Sequence, residues 1–136
     1  MPGVPTLPGR SGERGSVALA GIAAISMMFI AFVLIAQFAV WQYGRGAVQS
    51  AANEAARASA SFGADPGDCY RRFEDARGDL LGGSLGAGVG APQCTIGGEF
   101  SEVIVPVTFK RWLPFSPDWS FQVRAISATE RLPEAP

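Results

Sequence analysis

The sequence predicts a membrane-anchored α+β protein: a long N-terminal transmembrane helix extending outward, then a short helix and a small antiparallel sheet. Three observations carry that prediction. Residues 16–43 are a run of 28 residues whose only ionisable group is the phenol of Tyr43. The helix-forming pattern continues without proline to about residue 62. Two segments rich in branched residues, 102–110 and 121–128, then read as strands.

Composition narrows the class. A chain of 136 residues has room for one membrane segment plus one small domain. A net charge of −1 argues against a nucleic-acid binder that relies on a basic surface. With no histidine there is no Ser-His-Asp or Cys-His nucleophile system and no His-ligated zinc. No other nucleophile–base pair stands out, and Asp65, Asp68, Glu74, Asp75 and Asp79 lack the spacing of a calcium loop. The chain therefore reads as a non-enzyme, with no catalytic residue, cofactor or metal.

The first helix follows from its apolar content. As a helix, 28 residues extend roughly 42 Å against the ~30 Å of a bilayer core. Twelve of them are Leu, Ile, Val or Phe, and no charge opposes their insertion. A cleavable secretory signal has a much shorter apolar run, so a retained anchor is the better reading. Arg10 and Arg14 against Glu13 place residues 1–15 in the cytoplasm and the remainder outside the inner or plasma membrane. Trp41 and Tyr43 fall where an outer aromatic belt belongs. Ser16, Ala20 and Ala24 form a stripe of small residues suited to packing against other membrane helices.

Residues 44–63 continue as a membrane-proximal helix that Gly63 closes. Val48, Ala52, Ala55 and Phe62 share one face, and Glu54 can pair with Arg57 three residues on. Asp65-Pro66-Gly67-Asp68 reads as a turn with an N-cap and a proline at the first helical position. The helix that follows aligns Tyr70, Phe73, Ala76 and Leu80, with Arg71 and Arg72 on a solvated face. Residues 82–92 read as a flexible loop, since their glycines match neither a dinucleotide fingerprint nor a P-loop.

In the β region, 93–96 is a candidate short strand, and Pro106 marks 102–110 as an edge strand or a bulge. The connection RWLPFSPDWS holds Trp112, Leu113, Phe115 and Trp119. These either pack under the sheet, the favoured reading, or stand exposed for a partner or the bilayer surface. The tail 131–136 reads as disordered. An outer domain of residues 64–130 is small enough to need a staple, and Cys69 and Cys94, the only cysteines, supply one as a disulfide.

The run QFAVWQYGRGAVQSAANEAAR, residues 37–57, resembles the TadE-like family of tight-adherence (Flp) pilus proteins. Arg14-Gly15 matches the family's Arg-Gly pair before its membrane helix. Gln37-Phe38, Tyr43 and Arg45 match the pattern near the outer end of that helix. Gln49, Ala51, Ala52, Glu54, Ala55, Ala56 and Arg57 match the Gln-x-Ala-Ala-x-Glu-Gly/Ala-Ala-Arg signature. The resemblance covers roughly residues 14–62; the two cysteines and late strands look similar to actinobacterial members. It implies a pilin-like minor pseudopilin acting with other pilus subunits, an ATPase and an inner-membrane assembly platform. It also implies cutting by a prepilin peptidase between Gly15 and Ser16. Such substrates usually carry glutamate five residues into the mature chain, where this sequence has Ala20. The alternative is a bitopic, membrane-anchored binding protein unrelated to pili.

Overall fold

The computed structural model describes residues 2–3, 11–111 and 114–131. The expected tail beyond 131, most of the leader, and Trp112 and Leu113 lie outside the described residues. Six elements follow one another: α1 (Ser11–Ala60), α2 (Pro66–Leu80), α3 (Gly83–Ala87), β1 (Gln93–Thr95), β2 (Phe100–Phe109) and β3 (Trp119–Ala128). The chain divides into two units, residues 1–38 and 39–136.

Apart from residues 2–3, the described part of the first unit is the N-terminal portion of α1. No proline interrupts α1, and alanine and long apolar residues sustain it. Helix begins at Ser11, so the Gly15–Ser16 bond lies within it. From 15 to 32 every residue is exposed. This helix is long and apolar enough to cross a membrane.

In the second unit the rest of α1 packs on an antiparallel three-stranded sheet of order β1-β2-β3. The strands alternate as a half-buried sheet should. Val103, Val105 and Val107 of β2 and Val123 and Ala125 of β3 point inward. Facing them is a stripe of small residues on α1, Ala47, Val48, Ala51, Ala52, Ala55 and Ala56, all buried. Small side chains let the helix come close. At one end, Phe109 lies so near Gly44 that a Cβ there would meet the ring at 2.7 Å. At the other, Ser101 Oγ donates to the Ser59 carbonyl at 3.3 Å. Gly63, at a φ of 73°, then turns the chain in a conformation open to glycine.

Phe62, expected on the buried face, is instead 67% exposed, because the buried stripe ends at Ala60 before the turn. Glu54 pairs with Arg72 of α2 at 3.0 Å rather than with Arg57. Both side chains are largely exposed, so the pair contributes little beyond tying two helices together.

α2 opens with a full capping box. Asp65 Oδ1 accepts from the Gly67 N–H, and Asp68 Oδ2 accepts from the Asp65 N–H. Its inward face is Cys69 and Phe73, both fully buried, with Ala76 beside them. The expected stripe is thus rotated: Tyr70 and Leu80 are exposed, and Leu81, just past the helix, turns in. The cause is the disulfide Cys69–Cys94, with Cα atoms 6.5 Å apart, which demands that Cys69 face β1.

Two further expectations are corrected here. Residues 82–92 are structured, holding α3 and then a stretch in which Val89 bridges Val107 and enters the core. Glycine serves close approach rather than flexibility: the Gly90 N–H donates to the Pro106 carbonyl, and the Thr108 N–H to the Gly88 carbonyl. β2 is the central strand, not an edge. Pro106 is tolerated because its missing donor falls beyond the end of β1, whose last pairing is Gln93 with Ile104. There the neighbouring segment runs one residue out of step, since Val89 faces Val107 while Gln93 faces Ile104.

Two glycines two residues apart separate helix propensity from packing. Gly46 is exposed with nothing near its missing Cβ, so Gly46→Ala raises stability by about 1 kcal/mol. Gly44→Ala pushes into Phe109 and lowers stability by roughly 1–2 kcal/mol despite the same gain in propensity. Denaturant titration of the full chain in micelles, followed by near-ultraviolet circular dichroism, reads both. In the same assay the Cys69→Ser/Cys94→Ser double variant loses about 3.5 kcal/mol, the chain-entropy value for a loop of 25 residues.

Candidate functional site

Two features of the described residues reach beyond stabilising the fold. The first is the run of exposed large side chains in residues 15–38. Leu19, Ile25, Met27, Met28, Phe29 and Ile35 are each 67% exposed or more. Ser16, Ala20 and Ala24 lie on this run at intervals of one helical turn and are exposed. Gly15 is exposed too, with open space around it.

The second is the end of the second unit at which α1 enters. β2 runs antiparallel to the helix, from Ser101 beside Ser59 to Phe109 beside Gly44. Its far end and the start of β3 therefore meet the helix at Trp41. Trp41 packs edge-on against Trp119 with ring centroids 5.0 Å apart and against Phe121 at 6.2 Å. Phe109 and Phe121 stack in the same manner at 5.7 Å. The Arg45 guanidinium lies 5.7 Å from the Trp41 ring centre, within cation–π range. Tyr43 Oη donates to the Leu80 carbonyl at 3.1 Å, tying the end of α2 to the same level.

The connection from β2 to β3 leaves from this aromatic end. Its neck is closed by Arg111, whose backbone N–H donates to Asp118 Oδ1 at 3.2 Å and whose guanidinium donates to the Ser116 carbonyl at 3.5 Å. Between these ties Phe115 stands 98% exposed, while Lys110 and Arg111 are exposed at the neck.

The four aromatic and apolar residues expected in one connection therefore separate. Trp119 belongs to β3 and is half-buried against α1; Phe115 is bare; Trp112 and Leu113 lie outside the described residues. Cys69 and Cys94 are joined. The acidic residues of α2 pair locally, Asp68 with Arg71 and Glu74 with Arg77. Among the described residues no three His, Cys, Asp or Glu side chains converge on one point.

The residues of the Gln49–Arg57 signature have structural work in this chain. Ala51, Ala52, Ala55 and Ala56 form the seam against the sheet. Gln49 Nε2 donates to the Arg124 carbonyl on the open edge of β3, and Glu54 meets Arg72. The Trp41 packing was not foreseen, because Trp41 also suits an interfacial belt. Its signal is nevertheless present, since Trp41, Gly44, Val48, Ala52, Ala55 and Ser59 follow one helical face. No family model, curated protein or solved structure matches the chain.

The aromatic end has an energetic signature. A double-mutant cycle with Trp41→Ala and Trp119→Ala returns a coupling of about 1 kcal/mol, as expected for an edge-on ring pair. Denaturant midpoints of the four proteins in micelles measure it, and a coupling near zero contradicts the packing.

Proposed function

We infer that the chain is a single-pass membrane protein of the pseudopilin type, which takes part in assembling a tight-adherence pilus or a related secretion system. The observation that carries this reading is the division of α1. Its second half has small side chains and is covered by the sheet. Its first half has large apolar side chains that stand largely exposed among the described residues. Each such side chain left in water forgoes roughly 1.5–3 kcal/mol, so residues 16–38 belong in a bilayer. Arg10 and Arg14 put the N-terminus on the cytoplasmic side. The disulfide agrees with a domain outside the membrane, where bridges persist. The link to pili rests on the resemblance of residues 14–62 to the TadE-like family, and the partners are then other pilus subunits, the assembly platform and a prepilin peptidase. The run carries no carboxylate, Ala20 standing where glutamate is usual, so register among neighbours comes from apolar packing along Ser16, Ala20 and Ala24.

Intact mass of the protein extracted from its native membrane tests the reading. The expected chain starts at Ser16 and gains two hydrogens on reduction. A start at Met1 or Pro2 removes the peptidase from the account.

The alternative, a bitopic binding protein unrelated to pili, draws on the bare Phe115. Exchanging residues 16–38 for an unrelated apolar span abolishes pilus assembly on the first reading, while a Gly-Ser replacement of residues 112–118 leaves it intact. The opposite pattern favours the alternative.

A further inference from the structure

The two edges of the sheet differ. β1, at one edge, has three residues; Pro92, which has no N–H, precedes it, and the disulfide ties its central Cys94 to α2. β3, at the other, runs for ten residues without proline and pairs with β2 one to one over its whole length, so no bulge interrupts it. The Arg124 carbonyl accepts from Gln49 on α1 and therefore points away from β2. In an antiparallel ladder the N–H and C=O of one residue face the same side, and successive residues alternate. Ser120, Gln122, Ile126 and Ala128 thus aim their backbone groups at the open side as well. Glu130 keeps the alternation, its N–H donating to the Ala60 carbonyl. Among the described residues no other hydrogen bond reaches this row.

An edge of this length is ordinarily blunted by lysine, proline, a bulge or a covering element. Here the side chains of Ser120, Gln122, Arg124, Ile126 and Ala128 are all exposed, and the single charge, Arg124, pairs with Glu102 of β2. The flanks select what fits. On the helix side stand amides, Gln49 donating to Asn53 as well as to the Arg124 carbonyl. On the outer face Ile126 lies diagonal to Phe100, and both are more than half exposed. A matching antiparallel strand carries hydroxyl or amide side chains toward α1, an apolar residue opposite Ile126 and, two residues later, a carboxylate opposite Arg124. A second copy of β3 does not match: the register that overlaps it most fully sets Arg124 against Arg124, and like charges directly opposite are destabilising. We propose that the open edge of β3 takes a fourth strand, an extended apolar-x-acidic segment of a different chain. Gln49 yields the Arg124 carbonyl to a backbone N–H of that strand. The site lies wholly within the second unit and does not depend on what α1 crosses.

The test is amide hydrogen exchange at single-residue resolution on the full chain, disulfide intact, in micelles and in native membranes. The probe is the capped peptide VTISETTST, which sets Ile opposite Ile126 and Glu opposite Arg124. In micelles without peptide, Val123 and Ala125 are expected to exchange slowly and Gln122, Arg124 and Ile126 quickly. Millimolar peptide slows the latter three roughly tenfold, the effect of about one backbone hydrogen bond each. A peptide with lysine in place of its glutamate binds roughly tenfold more weakly. In native membranes the same three amides are slow without peptide. Gln122→Pro removes an outward donor and keeps the ladder to β2, so Val123 and Ala125 stay slow while the protection of Arg124 and Ile126 is lost. Ile126→Lys, a surface change that leaves the fold intact, weakens the protection in the same direction. No slowing by the peptide, or slowing that survives Gln122→Pro, overturns the strand addition. Equal exchange in micelles and membranes leaves the edge without an occupant and overturns it too. Protection in micelles that grows with protein concentration identifies a second copy and overturns the choice of a different chain.

Discussion

The second unit depends on how closely a helix with almost no side-chain volume can approach a sheet. Its core is a layer of valines from β2 and β3 set against alanines of α1, with Phe73 and the Cys69–Cys94 bridge closing one side. Valine reaches little beyond its own Cβ, so these residues are buried only if the facing helix lies nearly in contact. That requirement explains glycine where Phe109 meets the helix, alanine along the seam, and serine where Ser101 meets Ser59. A single larger side chain along the seam would separate the layers and expose most of the core at once. In a unit this small the disulfide is the natural complement, since apolar burial alone leaves a narrow margin.

The same close approach decides details that look unrelated. It lines up α1 and β2 end to end, so that the β2–β3 connection emerges at Trp41 and the α2 N-terminus at Gly63. It leaves the C-terminal part of β2 without β1 as a neighbour, and the glycine-rich stretch around Val89 moves into that gap. A proline then sits in a central strand without wasting a hydrogen bond. Gln49 covers part of the open edge of β3, where an unpaired strand would otherwise invite another chain.

Along α1 the size of the side chains changes where the environment changes. Large apolar residues occupy the stretch that stands exposed among the described residues, and small ones the stretch that the sheet covers. One helix thereby serves two partners with opposite demands: area for an apolar surround, and thinness for a packed interface. Trp41 marks the transition, being the large side chain just before the seam that β3 grips. The functional readings all draw on this division, whether the apolar half contacts lipid alone or neighbouring helices as well.

The sequence by itself determined α1 almost completely, because an uncharged apolar run followed by an alanine-rich one without proline admits little else. The capping box at Asp65, the two long strands and the pairing of the only two cysteines were legible for the same reason, each being a local pattern or a matter of counting. What needed the tertiary structure was the choice among faces. Val48, Ala52 and Ala55 were placed correctly by period, but Phe62 lies past the end of the sheet. The bridge to β1 rotated α2 so that Cys69 replaced Tyr70 on the inside. The glycine-rich stretch after α2 found order only in the β2 edge that β1 leaves open. Trp119 and Phe115, four residues apart in one connection, took opposite environments because α1 supplies a partner, Trp41, to one and nothing to the other. Periodicity reports that a side chain prefers to be covered; which side chains are covered depends on where the opposing layer begins and ends.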